Sequence, residues 1–96
     1  MPDFGDHRIM ACTRADLQRW LCEFIGDPSL QVGDRALELA LEGFNLTLNT
    51  RELPPRRIAL LRIEQLEVWF DYSTEAADRA RDWIARFDRH TQRGGG

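Results

Sequence analysis

Apolar residues recur along this chain with two different periods. Leu17, Trp20, Leu21, Phe24 and Ile25 fall at i, i+3, i+4, i+7 and i+8, the stripe of an amphipathic helix. Thr13 and Asp16 stand three apart just ahead of it, a capping-box spacing with Asp in the place of the usual Glu, and Gly26, Asp27 and Pro28 close it. Near the carboxyl end Ala76, Ala80, Trp83, Ile84 and Phe87 form a second stripe. Ser73 or Thr74 is placed to cap that helix, and Glu75 and Asp78 suit its positive end. Glu75 with Arg79, and Asp82 with Arg86, are spaced as i,i+4 ion pairs.

Between the helices the period is two. Leu37, Leu39 and Leu41 alternate on odd positions and Phe44, Leu46 and Leu48 on even ones, so the phase changes at Glu42 and Gly43. A two-residue hairpin turn there produces that change and pairs Leu41 with Phe44, Leu39 with Leu46 and Leu37 with Leu48. The stretch "ALELALE" also contains good helix formers, but the clean alternation of "NLTLN" and the position of Gly43 favour the hairpin.

A second phase change follows "RELPPRR", which reads as a proline-bearing connection. Ala59, Leu61 and Ile63 are odd; Leu66, Val68, Phe70 and Tyr72 are even; Glu64 and Gln65 lie at the switch. Read as a hairpin, this pairs Ala59, Leu61 and Ile63 with Phe70, Val68 and Leu66. Ile58, Leu60, Arg62, Glu67, Trp69 and Asp71 then lie on the opposite face, with Arg62 across from Glu67 and Leu60 across from Trp69. Glu-Gln is poor turn chemistry, so a longer link, or a bulge in one bent strand, is the competing reading.

With a strand over residues 7–12, these elements predict an α+β fold in two layers: an antiparallel sheet of about five strands with two helices on one face, in the order β-α-β-β-β-β-α. The ferredoxin-like order is close but requires a strand after the second helix. The expected organisation is a flexible amino terminus over residues 1–6, a single domain over 7–91 and a flexible glycine-rich tail over 92–96.

Composition narrows the chemistry. The 96 residues are 43% hydrophobic and 30% charged, which suits one small globular domain. No apolar run approaches the roughly 20 residues of a membrane helix, and the first residues lack the pattern of a signal peptide, so the expected location is the cytoplasm. All 13 basic residues are arginine, a coding bias typical of GC-rich bacteria, and the absence of lysine excludes a Walker A loop and Schiff-base chemistry. A formal net charge of -3 argues against general nucleic-acid binding. Cys12 and Cys22 match neither a CxxC pair nor a zinc spacing, and with no export signal expected they read as reduced, structural thiols. His7 and His90 lie near opposite ends, neither serine sits in a nucleophile elbow, and no cofactor or metal is expected.

The terminal glycines, Gly94 to Gly96, resemble the tail of ubiquitin-like carriers, but here they follow a helix, and the order of elements is not that of the carrier fold. Two surfaces remain. Arg51, Arg56, Arg57, Arg89 and Arg93 form a candidate anion patch for a small-ligand or phosphate-binding enzyme domain. Ile58, Leu60, Arg62, Glu67 and Trp69 on the uncovered sheet face form a candidate contact surface, with Trp69 as its anchor. The second is the better supported: a non-catalytic protein-interaction module that self-associates or binds a protein partner.

Overall fold

The computed structural model describes residues 4–93. Four strands and two helices are arranged as β1 (Phe4–Met10), α1 (Arg14–Ile25), β2 (Leu37–Leu41), β3 (Phe44–Ile58), β4 (Leu61–Tyr72) and α2 (Ala77–Arg93), with a short 3-10 turn over Thr74–Ala76 leading into α2. The sheet is antiparallel throughout, in the order β1-β4-β3-β2. Among the described residues no helix is long and apolar enough to cross a membrane.

The α+β class is as the periodicities require, but the described residues form four strands rather than about five. Residues 59–63 and 66–72 do not form separate strands; Leu61–Tyr72 is one continuous strand, and the chain reverses at Ala59 and Leu60. The strand expected over residues 7–12 runs instead over Phe4–Met10, so residues 4–6 belong to the fold. At the other end α2 continues through Arg93 into the expected tail; residues 1–3 and the glycines 94–96 lie outside the described residues.

Local chemistry accounts for the elements that match expectation. The Thr13 hydroxyl accepts from the Asp16 amide at 3.1 Å, and the Asp16 carboxylate accepts from the Thr13 amide at 3.1 Å, so two of the helix's orphan donors are satisfied reciprocally. Gly26, at φ 80°, closes α1 in the left-handed region. The β2–β3 hairpin has the expected register, with Leu37, Leu39 and Leu41 opposite Leu48, Leu46 and Phe44, and Gly43 supplies φ 87° at the turn. Asp82 and Arg86 pair at 3.1 Å, whereas Arg79 donates to the Gly43 carbonyl at 3.1 Å, tying α2 to the hairpin turn. Ser73 precedes the 3-10 turn without a side-chain capping bond.

Both helices cover one face of the sheet. Leu17, Trp20 and Leu21 of α1 and Ala80, Trp83, Ile84 and Phe87 of α2 pack on Leu39, Leu46, Leu48, Leu66, Val68, Phe70 and Tyr72. Phe24, Phe70, Trp83 and Phe87 form an aromatic group, with Trp83 and Phe87 stacked at 5.5 Å and Phe24 edge-on to Trp83 at 5.4 Å. Such ring pairs contribute about 0.5–1.5 kcal/mol each beyond their burial. Cys12 is buried against this core, and burial pushes its thiol up to about 11, so it packs as a small apolar residue.

One part of the sheet leaves the core. β1 pairs with β4 only as far as Met10 and Leu66, and β2 pairs with β3 only over residues 44–48. The far halves of β3 and β4 continue as a two-stranded ribbon, and this arm lengthens the molecule to 45 × 26 × 22 Å. The radius of gyration is 13.6 Å, against about 12.5 Å for a compact domain of this length.

Candidate interaction surface

Among the described residues no helix covers the other face of the sheet, which carries the odd-numbered residues of β4: Gln65, Glu67, Trp69 and Asp71. Register decides their neighbours. His7 of β1 lies across from Trp69, and Asn49 and Arg51 of β3 lie across from Trp69 and Glu67. The pairings inferred from sequence, Arg62 with Glu67 and Leu60 with Trp69, do not occur: Arg62 lies across from Arg57, and Leu60 is a turn residue. Because the reversal is at residues 59–60, the strand facing β4 at Glu67 is β3 near Arg51, and Arg62 lies five residues further out along β4.

Glu67 is held from two sides. Its Oε2 is 2.6 Å from His7 Nε2 and its Oε1 is 2.6 Å from Arg51 Nη2. The hydrogen bond from His7 and the charge and hydrogen bond of Arg51 outweigh the opposing effect of burial and hold the carboxyl below the usual glutamate range. The His7 ring stacks on Trp69 at 5.1 Å, and the Arg51 guanidinium lies 5.9 Å from the Trp69 ring centre. In this cluster the Glu67 carboxylate contacts the His7 imidazole and the Arg51 guanidinium, and both of these lie against the Trp69 indole. It links β1 and β3 to β4 through side chains as well as backbone. Trp69 is therefore flanked by polar groups, not grouped with Ile58 and Leu60 as an apolar anchor.

Ile58 and Leu60 sit instead at the end of the arm. Leu60 is fully exposed, Leu61 is 65% exposed and Ile58 is 45% exposed. Ala59 adopts φ 53°, a region that glycine favours, to make the two-residue turn between them. At the base of the arm β3 contains Pro54 and Pro55, and the register slips by one residue between Leu53 and Arg56. The proline-bearing segment is thus a bulge within β3, not a connection between strands. The bulge changes the alternation, so that Arg56, Ile58, Leu61 and Ile63 share the Trp69 face while Arg57, Arg62 and Glu64 lie on the other.

No family model, curated protein or solved structure matches the chain.

The candidate anion patch is not assembled. Arg51 is committed to Glu67 on the open face, and Arg56 and Arg57 alternate to opposite sides of the arm. Arg89 lies on α2, beyond the other face of the sheet, and the Arg93 side chain lies outside the described residues. Among the described residues no group of three His, Cys, Asp or Glu side chains is arranged to hold a metal ion. The residues that sequence reasoning missed are His7 and Arg51 around Glu67, and Leu61 and Ile63 as arm residues. A strand reaching Phe4 places His7 beside Trp69, but nothing in the sequence of residues 4–6 marks a strand start.

Proposed function

We propose that this protein acts by contact with other protein chains, and that the β3–β4 arm is the element that makes the contact. The observation that carries this reading is the exposure of Ile58, Leu60 and Leu61 together at the end of a two-stranded ribbon with which, among the described residues, no third strand pairs. A two-stranded hairpin is marginally stable alone, and clustered exposed aliphatic residues are uncommon away from binding surfaces. The arm lowers its free energy by laying that end against another protein. The polar cluster around Glu67 keeps the base of the arm in register.

The test compares wild type with a Leu60→Ser, Leu61→Ser double variant. Sedimentation equilibrium reads self-association, and capture from host lysate reads other partners; circular dichroism verifies the fold of the variant. The reading requires that an association of one kind be present in wild type and lost in the folded variant. Absence of both kinds, or full retention in the variant, overturns it.

A further inference from the structure

The two outer edges of the arm differ. On β3, Arg14 donates to the Thr50 carbonyl at 3.2 Å, Pro54 and Pro55 have no N–H to offer, and the bulge interrupts the edge. On β4, residues 61–65 contain no proline and no bulge, and among the described residues no strand pairs with their outer side. In a two-residue hairpin the flanking pair, here Ile58 and Leu61, exchanges both backbone hydrogen bonds. The N–H and C=O groups of Leu61 and Ile63 therefore point inward to β3, and those of Arg62 and Glu64 point outward.

This edge is self-complementary. A two-fold axis perpendicular to the ribbon at Ile63 sets two copies of residues 61–65 antiparallel and keeps their faces aligned. Arg62 then lies opposite the partner's Glu64, Glu64 opposite the partner's Arg62, and the two Ile63 side chains meet at the axis. The outward backbone groups of Arg62 and Glu64 form four hydrogen bonds across the junction. Shifting the register by one step either way sets Arg62 opposite its own copy or Glu64 opposite its own copy, and like charges directly opposed are destabilising. Within one chain Arg62 Nε already contacts Glu64 Oε1 at 3.1 Å, so both charges are held on the face where the partner's charges would arrive. Arg62 also faces Arg57 in its own hairpin, an unfavourable pairing that a second carboxylate opposite Arg62 relieves.

We infer that the partner is a second copy of this chain, joined edge to edge through β4 residues 61–65 in the register that opposes Arg62 to Glu64. This rests on the reading of the arm as the contact element and names its occupant. In this register Leu61 lies opposite the partner's Gln65, beside the point where the partner's β1 ends at Met10.

The experiment is a charge-reversal set followed by sedimentation equilibrium, with circular dichroism to verify each fold. Arg62→Glu alone and Glu64→Arg alone each place like charges opposite one another at both pairs, and each is expected to weaken association about tenfold or more. The double reversal, Arg62→Glu with Glu64→Arg, restores it, and so does mixing the two single variants, which then form a heterodimer. A dimer that all variants form equally, yet that is lost in the Leu60→Ser, Leu61→Ser variant, overturns this register while the arm remains the contact element. A wild type that is monomeric at every concentration overturns the second-copy inference; the arm reading then stands only if a captured protein is lost with the same leucines.

Discussion

Removing the arm separates what folds the domain from what it binds. The perturbation is deletion of residues 54–64, with Leu53 and Gln65, which face each other across the ribbon, joined by Asn-Gly. None of the deleted residues belongs to the buried core, and their large aliphatic side chains are mostly in water already. The loss of stability should therefore stay within about 1 kcal/mol, equivalent to a fall in Tm of about 4–8 °C at this size. Truncating one wholly buried ring, as in Phe70→Ala, is expected to cost about 3–5 kcal/mol and serves as the comparison. Urea denaturation followed by circular dichroism reads both variants. The arm deletion should unfold in one cooperative step with a smaller m, because less surface is exposed on unfolding. Small-angle scattering should give a radius of gyration near the about 12 Å of a compact domain of that length. A loss above about 3 kcal/mol, or a broad uncooperative transition, would show that the arm is integral to the fold and refute the separation.

Three further outcomes follow from the geometry. Because Glu67 has a folded-state pKa held below its unfolded value, its stabilisation is present above the ordinary glutamate range and is lost as pH falls through the folded value. Glu67→Gln should therefore be less stable than wild type at neutral pH, and the gap should narrow as pH falls below the ordinary glutamate range; a gap independent of pH in urea melts would contradict the assignment. Thr13→Ala removes half of the capping box and should lower stability by about 1 kcal/mol, read as a shifted urea midpoint with unchanged m; no shift would mean that α1 does not depend on this cap. Cys12, buried and with its thiol pushed up to about 11, should resist thiol reagents in the native protein and react only on opening. Mass spectrometry showing modification at a free-thiol rate would place Cys12 outside the core.

Both helices and the first hairpin were legible because each has one environment along its length. The α1 stripe, its Thr13–Asp16 box and Gly26 all point the same way, as do the Leu alternation and Gly43 in the hairpin. The second hairpin misled because one strand crosses two environments. From Leu66 onward β4 buries its even residues under the helices, whereas further out Leu61 and Ile63 lie on the opposite face of the two-stranded ribbon. That change imitates a turn at Glu64 and Gln65. The true turn, Ala59 and Leu60, has neither Gly, Asn nor Asp to announce it, and the prolines that resemble a break are an edge bulge. The same displacement explains the site. Glu67 and Trp69 lie on the face away from the helices, as the alternation of β4 requires, but shifting the reversal replaces Arg62 with Arg51 as the partner of Glu67 and carries Ile58 and Leu60 to the far end of the arm.

The most direct test of the arm as an open edge joined by a second copy is amide hydrogen exchange of wild type at low and high protein concentration, read residue by residue along β4. The account predicts that the inward amides of Leu61 and Ile63 are protected at both concentrations, while those of Arg62 and Glu64 exchange freely in dilute protein and become protected as concentration rises. Arg62 and Glu64 amides that exchange at the same rate at every concentration would contradict it.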